Sequence, residues 1–455
     1  MFILPALINE LAGKCMNLHD KKKIAFHTLG CKLNFAETST IARSFPEEEF
    51  ERVPANQKAD IYIINTCSVT DVADKKCRQA IKKFINRSPG AFIAVAGCYA
   101  QLNPLEIASI PGVDLVMGIN ERFDITGYIK DSYKKERAEI HSCKLSSTDR
   151  FMHSNSAGDR TRSFLKIQDG CDYKCTYCTI PLARGKSRNP GIKTLIEETE
   201  EIAARGVKEI VLTGVNTGDF GKSTGESFLS LLKELIVVSG IERFRISSIE
   251  PNLLTDDLIE MCASESKIMP HFHIPLQSGS DKILGLMRRR YNRDLFAGRI
   301  KQVKENIPYA GIGADVIIGF PGENESDFDE TYHFLKDIPL SYLHVFPFSE
   351  RPGTIAVALP DKVTHQEKEI RSRRLLSLSE DKAMEFRRLN SGRITKVLFE
   401  NVRNNGMISG FTENYIRVEY PWSAKLAGQI RRVRLTEIST SGKMNIELTE
   451  DYDRL

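Results

Sequence analysis

Several features are missing from this chain of 455 residues. It has no run of eighteen apolar residues, so no segment reads as a membrane-spanning helix. The opening stretch MFILPALINELAGKC is mildly apolar but lacks the basic start and longer apolar centre of a secretory signal. There is no large charge excess: 64 basic and 60 acidic residues leave +4 at pH 7, which by itself predicts no partner. The three thiols of KIQDGCDYKCTYCTIP, Cys171, Cys175 and Cys178, have no fourth cysteine close by. Structural zinc sites want four ligands in a tetrahedron, so that gap carries chemical information.

What is present is the composition of a globular protein, 41% hydrophobic and 27% charged. The length predicts two or three domains. Ten cysteines without an export signal indicate a reducing, cytoplasmic setting, where clustered thiols are more often metal ligands or redox groups than disulfides.

Residues 1–21 read as an N-terminal arm. Met16 opens MNLHDKKKIAFHTLG, an equally good start for a folded domain, so residues 1–15 read as a loose arm or as lying outside the native start. Residues 22–145 contain KIAFHTLG, DIYIINT and AFIAVAG, three β-branched apolar runs separated by helix-like stretches. That alternation predicts a doubly wound parallel sheet. These runs lead into Cys31, Cys67 and Cys98, and ligands of open parallel sheets gather at the carboxyl ends of strands. Residues 146–162 are polar, rich in Ser and Asn, and read as a linker. Residues 163–390 hold six strand candidates, FLKIQDG, EIVLTGV, RFRISSIE, HFHIPLQ, IGADVIIGF and LHVFPFS. Six βα units predict a partial (β/α)6 barrel, since a full eight-unit barrel needs about 250 residues. The charged stretch HQEKEIRSRRLLSLSEDKAMEFRRL reads as a helix. Residues 391–455 alternate apolar and polar positions, as a small all-β barrel does.

Cysteine thiolates favour iron–sulfur clusters and zinc. Three of them leave one metal position open, and an open iron can take a ligand that chelates through nitrogen and oxygen. The CxxxCxxC spacing resembles the radical S-adenosylmethionine motif, in which a [4Fe-4S] cluster cleaves the cofactor reductively to a 5′-deoxyadenosyl radical. Tyr177 stands before Cys178, where this superfamily shields its cluster with an aromatic. The alternatives are a zinc knuckle completed by a distant residue and three unrelated thiols.

Nearly the whole chain resembles the radical S-adenosylmethionine methylthiotransferases. The resemblance rests on TLGCKLN, NTCSVTDVADKKCRQ, AGCYAQ, DGCDYKCTYCTIPLARGKSRN, IPLQSGSDKILGLMRRRY and DVIIGFPGE. It implies that Cys31, Cys67 and Cys98 hold a second [4Fe-4S] cluster, and that the C-terminal module is a TRAM domain, an RNA-binding barrel. Buried structural cysteine is the alternative for this trio. Cys15, Cys77, Cys143 and Cys262 fit no ligand pattern. The resemblance also places S-adenosylmethionine at the strand ends, with Asn216, Glu250, Gln277, Ser278 and Asp315 as candidate contacts, although Asn, Ser and Gly are also ordinary turn residues. Arg184 and Lys186 could meet a carboxylate or phosphate.

GCKLN, NTCSVT and GCYAQ resemble the branch acting on N6-threonylcarbamoyladenosine in tRNA. The isopentenyladenosine branch tends towards GCQMN and GCMAQ. The implied reaction puts a methylthio group on C2 of that adenosine. One S-adenosylmethionine methylates sulfur on the cluster of Cys31, Cys67 and Cys98. A second, at the other cluster, is cleaved to the radical that takes hydrogen from C2. The sulfur donor and the reductant are not identifiable from sequence. Arg288, Arg289, Arg290 and Arg293 beside Tyr291, and further arginines in RSRRLL and QIRRVRL, are candidate tRNA phosphate contacts. Phe411 and Tyr415 are candidate base-stacking residues. The alternative substrates are isopentenyladenosine in tRNA and an aspartate of ribosomal protein S12.

Overall fold

The computed structural model describes residues 21–449 apart from 130–132, 144, 146–149 and 159. The expected arm up to residue 20, Cys15, the start of the expected linker and the last six residues of the C-terminal module lie outside the described residues. The described chain divides into two compact units. The first takes in the described residues up to Leu29, then Ile41–Thr66 and Lys76–Ser142; the second takes in Gly30–Thr40, Cys67–Lys75 and the described residues from Cys143 onward.

The first unit is built on six parallel strands: β1 (Lys22–Thr28), β2 (Phe50–Arg52), β3 (Ile61–Thr66), β4 (Phe92–Gly97), β5 (Leu115–Met117) and β6 (Glu139–His141). Their order is β2-β1-β3-β4-β5-β6. Every residue of β3 and β4 is buried. Ile61, Ile63, Phe92 and Ala94 belong to one core, and Tyr62, Ile64, Ile93 and Val95 to another. Successive side chains leave opposite faces of a strand, so both faces are covered, which is the doubly wound arrangement. The strand order reverses beside β1, so its topological switch point lies between β1 and β3. The short strands β2, β5 and β6 were not foreseen, because three residues are too few to display a period of two.

The second unit contains six further parallel strands: β7 (Ser163–Lys166), β8 (Glu209–Thr213), β9 (Arg243–Ile246), β10 (His271–His273), β11 (Gly311–Ile318) and β12 (Tyr342–Pro347). They form two three-stranded sheets, β7-β8-β9 and β10-β11-β12. Bridges from Phe244 to Ile268 and from Ser248 to His273 join β9 to β10, so the six make one continuous crescent. Leu165, Ile210, Leu212, Phe244, Ile246, Phe272 and Ile312 share a single core with residues of the intervening helices, such as Leu195, Leu231 and Phe296. Alternation then turns Glu209, Arg243, Arg245, His271, His273, Asp315, Tyr342 and His344 to the opposite, inner face. The expected linker is partly ordered: Ser154, Asn155 and Ser156 are buried, and Asn155 bridges Leu165 of β7.

The helix His365–Asn390 is stopped at its N-terminus by a capping box between Thr364 and Glu367. Ser379 on this helix accepts a hydrogen bond from the Leu343 amide at 2.9 Å and thereby fastens it to β12. Five strands follow: β13 (Ile394–Asn404), β14 (Met407–Thr412), β15 (Arg417–Pro421), β16 (Ile430–Ile438) and β17 (Met444–Leu448). They close into a barrel in the order β13-β14-β15-β17-β16 around Val397, Phe399, Val418, Val433 and Leu435.

Two glycines on the inner face of β11 make room inside the crescent. A Cβ on Gly311 would lie 2.3 Å from the Asn414 carbonyl, and one on Gly313 would lie 2.2 Å from the Tyr342 ring. Gly313→Ala should therefore overpack this face and cost about 1–3 kcal/mol. An unchanged apparent Tm for that variant would refute the close packing of Tyr342 over Gly313.

Candidate active site

The cysteine triplet sits in the loop that leaves β7. Asp169 and Arg188 exchange backbone hydrogen bonds at 2.9 Å, the Cys171 amide donates to the Gly185 carbonyl at 3.0 Å, and the Thr176 amide donates to the Met287 carbonyl at 3.1 Å. Gly170 has φ 70°, and a Cβ there would lie 2.0 Å from the Lys186 carbonyl, so glycine is required where the loop turns.

Each sulfur receives a donor. The Tyr173 amide lies 3.4 Å from Cys171 Sγ, the Ile180 amide 3.5 Å from Cys178 Sγ, and Arg289 Nη1 3.1 Å from Cys175 Sγ. Burial pushes the Cys171 thiol up to about 11 and the Cys178 thiol up to about 12, and it also raises Cys175 against the pull of Arg289. Such thiols are neutral at pH 7 unless a cation is brought to them. A donor set of three sulfurs with N–H groups already aimed at them fits an iron–sulfur cluster.

Arg289 organises this site. Its guanidinium pairs with Glu250 and reaches the Tyr177 hydroxyl at 3.3 Å and the Tyr291 hydroxyl at 3.1 Å. Burial raises the Glu250 carboxyl, and Arg289 opposes that rise. Of the arginine run read from sequence as a phosphate-binding stripe, Arg289 is thus internal, whereas Arg288 and Arg290 are exposed. Arg289 and Tyr291 are buried in this network, Arg290 lies 4.0 Å over the Tyr173 ring, and Arg293 pairs with Glu330. Periodicity could not reveal this, because exposed and buried arginines look alike in a string. In RSRRLL, Arg371 pairs with Glu323 at 2.7 Å and Arg374 with Asp329 at 2.9 Å.

The strand-end residues expected to hold S-adenosylmethionine differ in how far their polar atoms are engaged. Asn216 Oδ1, Ser247 Oγ, Asn252 Oδ1 and Gln277 Oε1 are buried without a hydrogen-bond partner among the described residues. Orphaned acceptors are costly, and a polar ligand would relieve them. Gln277 also has φ 71°, a strained backbone for this residue. Ser278 spends its hydroxyl on Thr331 at 3.2 Å. Asp315 accepts from His273 at 2.9 Å and lies 3.3 Å from His344. Those contacts account for the clustering of these three side chains.

The amino-terminal cysteines lie on two supports. Gly30 is packed so closely on Cys67 that a Cβ would stand 2.8 Å from its sulfur. Thr66 of β3 and Gly97 of β4 are register partners, and each immediately precedes a cysteine. Gly97 has φ 101°, with Asn65 Oδ1 2.4 Å from where its Cβ would be. Arg351 holds the chain after Cys67 through Ser68 at 2.7 Å and Asp74 at 2.6 Å. Thr179, next to Cys178, donates to the Ser68 carbonyl at 3.3 Å, so the segment after Cys67 abuts the triplet.

A buried ion network stands behind both loops. Lys166 contacts Glu37 at 2.9 Å and Asp169 at 2.7 Å; Arg184 contacts Glu37 at 3.0 Å and Asp169 at 2.9 Å; and Arg188 contacts Asp169 at 3.1 Å. Burial would raise the Asp169 carboxyl, but the three cations hold it well below the usual range. Arg184 is therefore internal and unavailable to a ligand, whereas Lys186 is exposed. Glu37 and Arg351 were not singled out from sequence, and Arg289 was read only as a candidate phosphate contact. Their importance is set by partners far away in the chain.

Residues 23–118 match a family described as the uncharacterised protein family UPF0004, and residues 165–335 match the radical SAM superfamily. A Bacillus subtilis protein named threonylcarbamoyladenosine tRNA methylthiotransferase MtaB is 42% identical over 90% of this chain and 93% of its own length. The chain belongs to this radical SAM methylthiotransferase family. An Aquifex aeolicus protein of the same name is 39% identical over 87% of this chain and 96% of its own. A Syntrophotalea carbinolica methylthiotransferase relative, named tRNA-2-methylthio-N(6)-dimethylallyladenosine synthase, is 31% identical over 91% of this chain and 97% of its own. Among solved structures, the radical S-adenosylmethionine methyltransferase TsrM from Kitasatospora setae shares the fold, with TM-score 0.53 and 12% identity over 74% of this chain and 77% of that one. No helix among the described residues is long and apolar enough to cross a membrane.

Removing Arg184 leaves two buried carboxylates short of a partner. Arg184→Met should cost about 3–5 kcal/mol in chemical denaturation and should lower the iron bound per chain after reconstitution. Full iron content in a destabilised variant would show that the network supports the fold without setting the cysteines.

Proposed function

We propose that this protein installs a methylthio group on C2 of N6-threonylcarbamoyladenosine at position 37 of tRNA, giving 2-methylthio-N6-threonylcarbamoyladenosine. The observation that carries the reading is the 42% identity to the Bacillus subtilis methylthiotransferase over nearly the full length of both chains. In this reading Cys171, Cys175 and Cys178 hold one [4Fe-4S] cluster, and Cys31, Cys67 and Cys98 hold a second. When bound, the clusters and S-adenosylmethionine supply the radical and the methylated sulfur that the reaction needs.

The chain's own residues bind and orient. Arg289 and the Tyr173 and Ile180 amides donate to the sulfurs of the triplet. Tyr177 packs edge-on to Phe320 and closes an apolar side beside the triplet. The orphaned acceptors of Asn216, Ser247, Asn252 and Gln277 suit the ribose hydroxyls, the adenine amine and the ammonium of S-adenosylmethionine. Glu250 is held by Arg289 at the edge of that set, whereas Ser278 and Asp315 are engaged with protein partners.

The C-terminal barrel serves as the RNA-binding TRAM module. Lys396 of β13 and Arg432 of β16 are register partners, and both are exposed, as is Arg434. Like charges facing each other across strands destabilise a sheet, and an RNA backbone relieves that repulsion. Tyr415 has an internal role instead, stacked on His271 at 4.3 Å.

Nucleoside mass spectrometry of tRNA tests this reading. Deleting the gene should remove the methylthio derivative of threonylcarbamoyladenosine and leave its precursor. Loss of the isopentenyl derivative would overturn the substrate assignment. Cys171→Ala should reduce bound iron from about eight to about four atoms per chain and abolish product.

A further inference from the structure

One short loop of the second unit, residues 348–356 after β12, has a hold on both cysteine-bearing segments. Ser349 Oγ accepts from the Asp71 amide at 2.9 Å. Asp71 opens the helix Asp71–Arg87, which follows Cys67. The loop therefore supplies an acceptor to a first helical turn whose amides have none within the helix. Arg351 reaches the same turn. Its Nη2 donates to Ser68 Oγ at 2.7 Å and to Asp74 Oδ2 at 2.6 Å, and Ser68 Oγ donates to Asp74 Oδ1 at 2.7 Å. All three side chains are buried. A guanidinium, a hydroxyl and a carboxylate thus close a ring of hydrogen bonds directly after Cys67.

The other end of the loop is fixed to the triplet. The Ala356 amide donates to the Thr176 carbonyl at 2.8 Å, and Thr176 stands between Cys175 and Cys178. Thr176 is held from behind as well, its hydroxyl donating to the Leu286 carbonyl at 2.9 Å and its amide to the Met287 carbonyl at 3.1 Å. Between its two holds the loop makes a tight turn. The Thr354 amide and hydroxyl both donate to the Arg351 carbonyl, at 3.1 and 2.7 Å. Pro352 and Gly353, the latter with φ 82°, fill the middle positions, the residues a type II turn favours there. Proline fixes one torsion and the paired hydrogen bonds close the turn, so the path from Arg351 to Ala356 has little freedom. The direct contact between the two segments, from Thr179 to the Ser68 carbonyl, is long at 3.3 Å. The charge-assisted bonds of Arg351 are the stronger tie.

We propose that Arg351 is a positioning residue that sets how far the Cys67 segment stands from the cysteine triplet, with the loop of residues 348–356 as the spacer between them. The inference rests on the proposed function, in which Cys67 helps to hold the second cluster. Methylthio transfer needs the radical and the sulfur delivered to one carbon atom. Reductive cleavage of S-adenosylmethionine needs only the cluster of the triplet. A support displaced by about 1 Å costs up to about a hundredfold in a reaction that depends on alignment. Arg351 bonds to Ser68 and Asp74 rather than to a cysteine, so its substitution separates spacing from cluster binding.

The test uses cluster-loaded full-length protein. Arg351→Met removes the tether. The double variant Asp74→Asn with Arg351→Met removes it without leaving a buried carboxylate unpaired, so it should fold and keep about eight irons per chain. Reduced clusters that lie close together relax each other's spins. Wild type should therefore saturate at higher microwave power in electron paramagnetic resonance than Cys171→Ala, which holds the second cluster alone. Both tether variants should lose that difference. With tRNA carrying threonylcarbamoyladenosine, the methylthio product formed per 5′-deoxyadenosine released should fall roughly tenfold to a hundredfold, and Arg351→Lys should restore part of the ratio. Wild-type saturation and ratio in variants that hold about eight irons overturn the spacer. So does a fall of 5′-deoxyadenosine and product together at constant ratio. Iron reduced to about four atoms in both variants also overturns it, since the tether is then a requirement for cluster binding. The saturation measurement needs no RNA. If wild type shows the spin interaction, the variants lose it, and wild type forms no methylthio product on that tRNA, the proposed function fails and the spacer stands.

Discussion

The buried ion network of Glu37, Lys166, Asp169, Arg184 and Arg188 is the constraint on which the rest of the site depends. It joins the helix that begins after Cys31 to the strand and loop that lead into Cys171. Burying five charged groups is expensive, and the cost is met only when each carboxylate has several donors in good geometry. The network therefore tolerates one arrangement of its backbone supports. Hydrophobic packing alone would let these segments slide, because apolar contacts carry no direction.

Polar load rises from the periphery of the second unit toward its inner face. The outward residues of the crescent make one continuous apolar core with the helices. The inward residues are arginine, histidine, glutamate, aspartate and tyrosine, with glycines at 311 and 313 to admit bulky neighbours. Charged residues fill space in such a face poorly.

Much of this was legible in the string. The triplet spacing announced an open metal site, because three thiols without a fourth are chemically incomplete. Alternating apolar runs announced parallel sheets, since β3 and β4 are buried on both faces and read as continuous hydrophobic stretches. Two arginines were misleading. Arg289 was read as a tRNA phosphate contact and Arg184 as meeting a carboxylate or phosphate, yet both side chains are internal. Tyr415 suggested base stacking and instead stacks on His271. In each case the partner, Glu250, Glu37 or His271, lies far off in sequence, and no local pattern encodes it.

By itself the sequence determined the chemistry available: six thiols in two trios, strand ends to carry them, and a C-terminal β-module with arginines on its strands. Local patterns suffice for this, because spacing along a chain and alternation along a strand are one-dimensional properties. Only the tertiary structure decided which arginines are buried, which acceptors are left orphaned, and that Arg162 and Arg245 meet the Tyr415 ring. Those outcomes depend on desolvation and on long-range pairing of charges, and both exist only once distant segments have been brought to the same place.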